Sequence, residues 1–148
     1  AAPADAASPR APAVAARPPA AAARPSAPAV PPSGQALAAA QNLVLNGQYE
    51  AGIAALRALK ADGDPDVAAF LGLAHRKLGQ IDAARGWYDR ALAADPDHRL
   101  TLSFYGIMHA ELGARDKAVD MLRRLRNVCG GESCSEFRAL FLVVTGGG

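Results

Sequence analysis

From Gln35 onward, apolar residues recur with the period of an amphipathic α-helix. The pattern predicts helices over residues 35–46, 49–60, 66–78, 81–94, 98–112, 115–128 and 133–144. Stop-and-restart signals at Asp62-Gly63-Asp64-Pro65 and Asp95-Pro96-Asp97 divide these stretches into pairs. The sequence therefore predicts an all-α domain over residues 35–145.

The predicted helix pairs repeat along the chain. Three equivalent turns occur at Gly47-Gln48-Tyr49, Gly79-Gln80-Ile81 and Gly113-Ala114-Arg115, so the spacings are 32 and 34 residues. Periods of this length indicate stacked units, because a single helix pair cannot bury its apolar faces alone.

The middle unit, residues 65–98, resembles the tetratricopeptide repeat. It has that family's residues at that family's spacings, namely Leu71, Gly72, Gly79, Ala84, Tyr88, Ala91 and Pro96. The third unit keeps Tyr105, Gly106, Gly113 and Ala118, and the first keeps a weaker set, Ala39, Ala40, Gly47, Gly52, Leu56 and Leu59. The resemblance implies a right-handed helical-repeat solenoid of three helix pairs with a role in binding other proteins.

The last predicted helix should cap this stack. Ser133 and Glu136 have the spacing of a reciprocal N-terminal cap. The apolar residues that follow form one stripe, at Phe137, Leu140, Phe141 and Val144. A solenoid needs such a helix to cover its exposed end.

Residues 1–34 differ in composition from the rest of the chain. They hold 15 alanines and nine of the eleven prolines. Proline at this density prevents helix formation and favours an extended polyproline-type conformation. The sequence therefore predicts an extended arm that precedes the repeat domain.

Charge and motifs argue against several classes of function. Residues 35–148 hold 13 basic and 13 acidic residues, whereas nucleic-acid binding needs a basic face. No phosphate loop, nucleophile elbow or zinc-protease motif occurs in the sequence. The longest apolar run, residues 139–144, is too short to span a bilayer. We therefore expect a protein that is not an enzyme, has no cofactor or metal, and has protein partners.

Cys129 and Cys134 are the only cysteines. The predicted helices place them at two helix ends joined by a short loop, where their sulfur atoms can reach bonding distance. A structural disulfide is the favoured interpretation, and thiol redox or metal transport is the alternative. The cysteine pair and the alanine-rich start at Ala1 together suggest an exported, periplasmic bacterial protein from which a signal peptide has been removed.

Two smaller clusters have competing interpretations. His75 and His109 occupy the same position in successive units, so they are either a ligand pair or, as we favour, residues packed between helices. The run of Arg123, Arg124 and Arg126 predicts a solvated helix face rather than an anion site.

The resemblance also implies where a partner would bind. In tetratricopeptide repeats the concave groove is formed by the first helix of each pair. The corresponding residues here are Leu37, Gln41, Val44, Leu45, Ala69, Leu73, Arg76, Lys77, Ser103, Ile107, Ala110 and Glu111. They form an apolar strip with a basic edge at Arg76 and Lys77, which suits an extended or helical partner segment. The alternative is that a groove of only three units is shallow and that these residues serve packing between helices.

These features predict a scaffold or accessory subunit of an exported multi-protein complex. Its size and expected location are similar to those of the small third subunit of periplasmic quinoprotein dehydrogenases, although no motif selects that assembly. The first alternative is a stand-alone periplasmic adaptor for peptides or envelope proteins. The second is a thiol redox or metal carrier that uses Cys129 and Cys134.

Overall fold

A computed structural model of the chain describes residues 34–146. Within this range it contains seven helices and no strand, so the all-α prediction is confirmed. The helices are α1 Gly34–Leu45, α2 Tyr49–Ala58, α3 Pro65–Lys77, α4 Ile81–Ala94, α5 Arg99–Glu111, α6 Arg115–Cys129 and α7 Ser135–Gly146. The arm predicted over residues 1–34 lies outside the described residues, apart from Gly34.

Local sequence sets where the helices begin and end. The turns within the three pairs contain Gly47, Gly79 and Gly113, whose φ angles of 87°, 80° and 83° are those that glycine adopts without strain. Helix α3 begins with Pro65, and the Asp64 carboxylate accepts hydrogen bonds from the N–H groups of Asp66 (2.8 Å) and Val67 (3.3 Å). These are the boundaries that the repeat pattern predicts.

The three helix pairs stack in sequence order. Helices α1, α3, α5 and α7 lie side by side, and each of the last three also contacts the second helix of the preceding pair. In each pair a glycine of one helix admits a side chain of the other at close range, Val44 at Gly52, Tyr88 at Gly72 and Met121 at Gly106. The result is the helical-repeat solenoid that the sequence predicts, with α7 in the place of a fourth first helix.

His98 connects the second and third units. It precedes α5, where its Nδ1 lies 2.7 Å from Oγ1 of Thr101 and 3.4 Å from the backbone N of that residue. Its Nε2 lies 2.6 Å from Oδ1 of Asp66 at the start of α3. The sequence pattern predicts no role for this histidine, because the contact joins residues one whole repeat apart.

His109 is packed between helices, as we favoured from the sequence. Its side chain is buried and stacks on Tyr105, with ring centroids 4.5 Å apart. The Tyr105 hydroxyl in turn donates to Oδ1 of Asp89 at 3.0 Å. Burial lowers the pKa of His109, nearby Lys117 and Arg85 lower it further, and Asp89 opposes them.

We expect His109 to make the domain less stable in mild acid. Because its pKa in the folded state is below the unfolded value of about 6.5, the unfolded chain binds the proton first as the pH falls. The free energy of unfolding should therefore decrease below about pH 6.5 and level off once the folded state is protonated too. Urea denaturation between pH 8 and pH 5 checks this expectation. His109→Phe, which keeps the stacked ring, should show a smaller decrease than the wild type, and an equal decrease would contradict it.

The two cysteines join α6 to α7. Their sulfur atoms lie 2.03 Å apart, the distance of a disulfide, and Cys129 is the last residue of α6. Helix α7 begins at Ser135 rather than Ser133, and the N–H of Phe137 points to Sγ of Cys134 at 3.4 Å. The reciprocal cap predicted for Ser133 and Glu136 is therefore wrong, because Cys134 occupies the capping position.

Removing this bridge should destabilise the domain by about 2 kcal/mol, the value that the chain-entropy relation gives for so short a loop. A Cys129→Ser/Cys134→Ser double variant should show this difference from the oxidised wild type in urea denaturation. Reduced wild type is the matched control, because it keeps both side chains and should unfold near the double variant. Equal stability of the oxidised and reduced wild type would contradict the prediction.

Candidate partner-binding surface

The first helices of the three pairs form the surface on which the sequence placed a partner. Helix α3 contacts both α1 and α5, so the three run along one side of the stack. Seven of the twelve predicted groove residues are exposed or half-buried there, namely Leu37, Gln41, Leu45, Lys77, Ile107, Ala110 and Glu111. We call these seven residues the first-helix surface.

Three predicted groove residues have almost no accessible surface. Val44 packs so closely on α2 that a Cβ at Gly52 would lie 2.5 Å from its Cγ2. Ala69 is fully buried, and Ser103 donates from Oγ to the carbonyl of Glu136 at 3.0 Å, beneath α7. These residues hold helices together and cannot contact a partner in this arrangement.

Leu73 and Arg76 are also buried, at 7% and 9% exposure. The Arg76 guanidinium reaches from α3 to α5, where Nη1 donates to the Phe104 carbonyl at 3.4 Å and Nε lies 3.8 Å from Oε1 of Glu111. The predicted basic edge therefore has one accessible cation, Lys77. Arg76 instead connects two first helices, as His98 does at their amino-terminal ends.

A buried tyrosine lies close to this arginine. Tyr88 is fully buried, and its hydroxyl has no hydrogen-bond partner among the described residues. Burial raises the pKa of Tyr88, while the charge of Arg76 lowers it and that of Glu111 raises it. The hydroxyl stays protonated at physiological pH, so it offers packing and one unused donor rather than an acid–base group.

A second surface was not found from the sequence. Between α6 and α7 lies an open cleft of about 230 Å³, which we call the α6–α7 cleft. Its lining residues are Val119, Leu122, Arg123, Arg126, Phe137 and Phe141. The four from α6 are spaced i, i+3, i+4 and i+7, so they form one stripe. That stripe was visible in the sequence, but the pairing with α7 was not.

The described residues contain neither a metal-ligand cluster nor a membrane span. No three or more His, Cys, Asp and Glu side chains among residues 34–146 come together as a metal site. None of the helices in that range is long and apolar enough to cross a bilayer. What the described surface offers is apolar patches bordered by charges.

Stacked helix pairs with accessible first helices define a helical-repeat protein of the class that binds other proteins. A sequence profile described as tetratricopeptide repeat matches residues 37–99 and again residues 71–128. The chain therefore belongs to the tetratricopeptide repeat family, whose domains generally mediate protein–protein interaction. A search of curated proteins found no match to the chain.

Proposed function

We propose that this protein is a non-catalytic accessory subunit that holds together an exported multi-protein complex. The observation that carries the proposal is the first-helix surface, which leaves apolar side chains accessible in a family of protein-binding domains. Leu45 is 64% exposed, and Leu37 and Ile107 are half-buried. Lys77 and Glu111 add one charge of each sign. An apolar surface with few charges suits a helical or extended segment of another protein.

The composition of residues 1–34 supports an architectural role. A segment this rich in alanine and proline has little to bury by itself, but it can add contact area by ordering along a neighbouring subunit. Proline lowers the entropic cost of that ordering. Its three arginines against one aspartate favour an acidic neighbour. A periplasmic quinoprotein dehydrogenase is one assembly in which a subunit of this size would fit.

The test is affinity purification of the tagged full-length protein from its native host, followed by mass spectrometry. We expect one larger protein to co-purify in fixed ratio. Leu45→Glu and Lys77→Glu should reduce its recovery, because both side chains are exposed on the first-helix surface and neither supports the core. Ala83→Glu, at an exposed position of α4 in the second-helix layer, is the matched control and should leave recovery unchanged.

Deleting residues 1–33 should weaken the complex without unfolding the domain. If the protein instead emerges alone and monomeric, the subunit proposal fails, and a stand-alone adaptor for transient peptides is the remaining interpretation. Equal loss of the partner with Ala83→Glu would show that the first-helix surface is not the binding site.

A further inference from the structure

Each unit of the stack leaves a cleft between its second helix and the first helix of the next unit. The second helix of that next unit covers the cleft with a large side chain. Trp87 of α4 packs against the apolar cluster to which α2 and α3 contribute. Met121 of α6 packs against the cluster that contains Tyr88 of α4 and Tyr105 of α5. Both follow the turn glycine of their own unit by eight residues.

The α6–α7 cleft is the third of this series, and no helix of the described chain covers it. Helix α7 contacts α5 and α6 as α5 contacts α3 and α4. On its outer side it exposes 42% of Phe141 and 68% of Leu142, although a capping helix normally has a polar outer face. The cleft therefore has the form of a site for one more second helix.

The charged side chains at the edge of the cleft indicate which side chains such a helix would carry. Helix α6 holds five basic and two acidic residues, whereas residues 35–148 hold thirteen of each. Arg123 and Arg126 lie at the cleft, and their internal partners Asp120 and Glu132 are exposed, so these ion pairs are weak. A carboxylate on an incoming helix can therefore pair with either guanidinium in place of its exposed internal partner.

The same edge favours an aromatic side chain. Arg57 and Arg123 each follow their turn glycine by ten residues, so they occupy equivalent positions in the first and third units. The Arg57 guanidinium lies 5.4 Å from the ring centroid of Trp87, a cation–π contact. Arg123 offers the same group to a ring inserted beside Phe137 and Phe141. The cleft volume of about 230 Å³ suits one or two side chains and is below the roughly 300–1,000 Å³ of small-molecule sites.

We infer that the α6–α7 cleft binds an acidic amphipathic helix of a partner protein, which inserts an aromatic side chain flanked by Asp or Glu. The inference rests on the proposed function, since it names a second surface of the same scaffold. A second copy of this chain fits less well, because its own Trp87 is half-buried against the first apolar cluster and is not free to insert. A symmetric pair of clefts would also bring Arg123 and Arg126 of both copies together.

The probes are three designed 16-residue helical peptides, one with a central Trp flanked by Glu, one with the same Trp flanked by Lys, and one with Ala in place of Trp. They are titrated into the ¹⁵N-labelled full-length, oxidised protein and followed by NMR. The Glu-flanked peptide should shift amides of α6 and α7, and the other two should bind at least tenfold more weakly. Equal binding of the Glu- and Lys-flanked peptides, or shifts confined to other helices, would overturn the inference.

Variants of the protein locate the site. Phe141→Ala and Arg123→Glu should each weaken binding of the Glu-flanked peptide about tenfold, and both positions are exposed, so the fold should persist. Leu45→Ala and Lys77→Glu are the matched apolar and charged controls on the first-helix surface and should bind as the wild type does. Unchanged affinity of Phe141→Ala would overturn the inference.

Two further measurements address the other possible occupants. Binding to phosphatidylglycerol vesicles without peptide binding, or concentration-dependent dimerisation that Phe141→Ala abolishes, would overturn the inference in favour of a membrane or of self-association. If Lys77→Glu loses the native partner while the cleft variants retain it, the proposed function stands and this inference alone fails.

Discussion

Replacing Gly72 with alanine is expected to lower the free energy of unfolding by about 1–3 kcal/mol, although alanine is the better helix former. A Cβ at this position would lie 2.4 Å from Cε1 and 2.5 Å from Cδ1 of Tyr88. The ring cannot move aside, because Tyr88 is fully buried between α3, α4 and α5. The two helices of the middle pair must therefore separate, and the packing of Tyr88 on Tyr105 should loosen with them.

Gly86→Ala is the matched control for this prediction. Gly86 lies within α4, is exposed, and has nothing within 4 Å of an added Cβ. The same substitution should therefore raise stability there by about 0.5–1 kcal/mol through helix propensity alone. Urea denaturation followed by circular dichroism measures both variants. If Gly72→Ala were as stable as the wild type, close approach at Gly72 would not determine the spacing of the pair.

Leu140→Ala should destabilise the domain by about 2–5 kcal/mol. Leu140 is fully buried in α7, and its methyl groups occupy the space above Gly106 of α5, where a Cβ added to that glycine would lie 2.5 and 3.0 Å from them. Truncation would leave a cavity at the interface that attaches the capping helix to the stack. We expect both a lower denaturation midpoint and weaker hydrogen-exchange protection throughout α7.

Leu142→Ala, in the same helix, is its control. Leu142 is 68% exposed, so the same loss of side-chain atoms should change stability by less than about 0.5 kcal/mol. A Leu140→Ala protein as stable as Leu142→Ala would mean that α7 contributes little to the stack.

The architecture could be predicted from the sequence because its determinants are local. The turn glycines and Pro65 at a helix start act over a few residues, and the small residues Gly72 and Ala84 act within one helix pair. Their repetition then predicts the stack, since identical units pack in the same way. The predicted start of α7 at Ser133 is wrong, because Cys134 takes the capping position instead.

The binding surface was harder to predict because exposure depends on packing between units. Ser103 has the repeat position of a groove residue, but helix α7 covers it. The sequence of α5 does not determine where α7 lies. Arg76 looked like an accessible cation, and only the placement of Phe104 and Glu111 shows that it connects α3 to α5. Arg123 and Arg126 are exposed, as predicted for a solvated face, but the sequence does not show that Phe137 and Phe141 lie opposite them.

The two ends of the stack are packed with different strength, so we expect the domain to unfold from one end first. Helix α1 buries only Ala40 and Val44, whereas α7 buries three residues and is tied to α6 through Cys129 and Cys134. Opening a unit at either end breaks one interface between units. The interface of the amino-terminal unit is smaller than the one at the carboxy-terminal end. A protease or unfoldase that engages residues 1–33 would thus meet the weakest unit first. Fraying would spread from α1 toward the bridged end, which would be the last part to lose its structure.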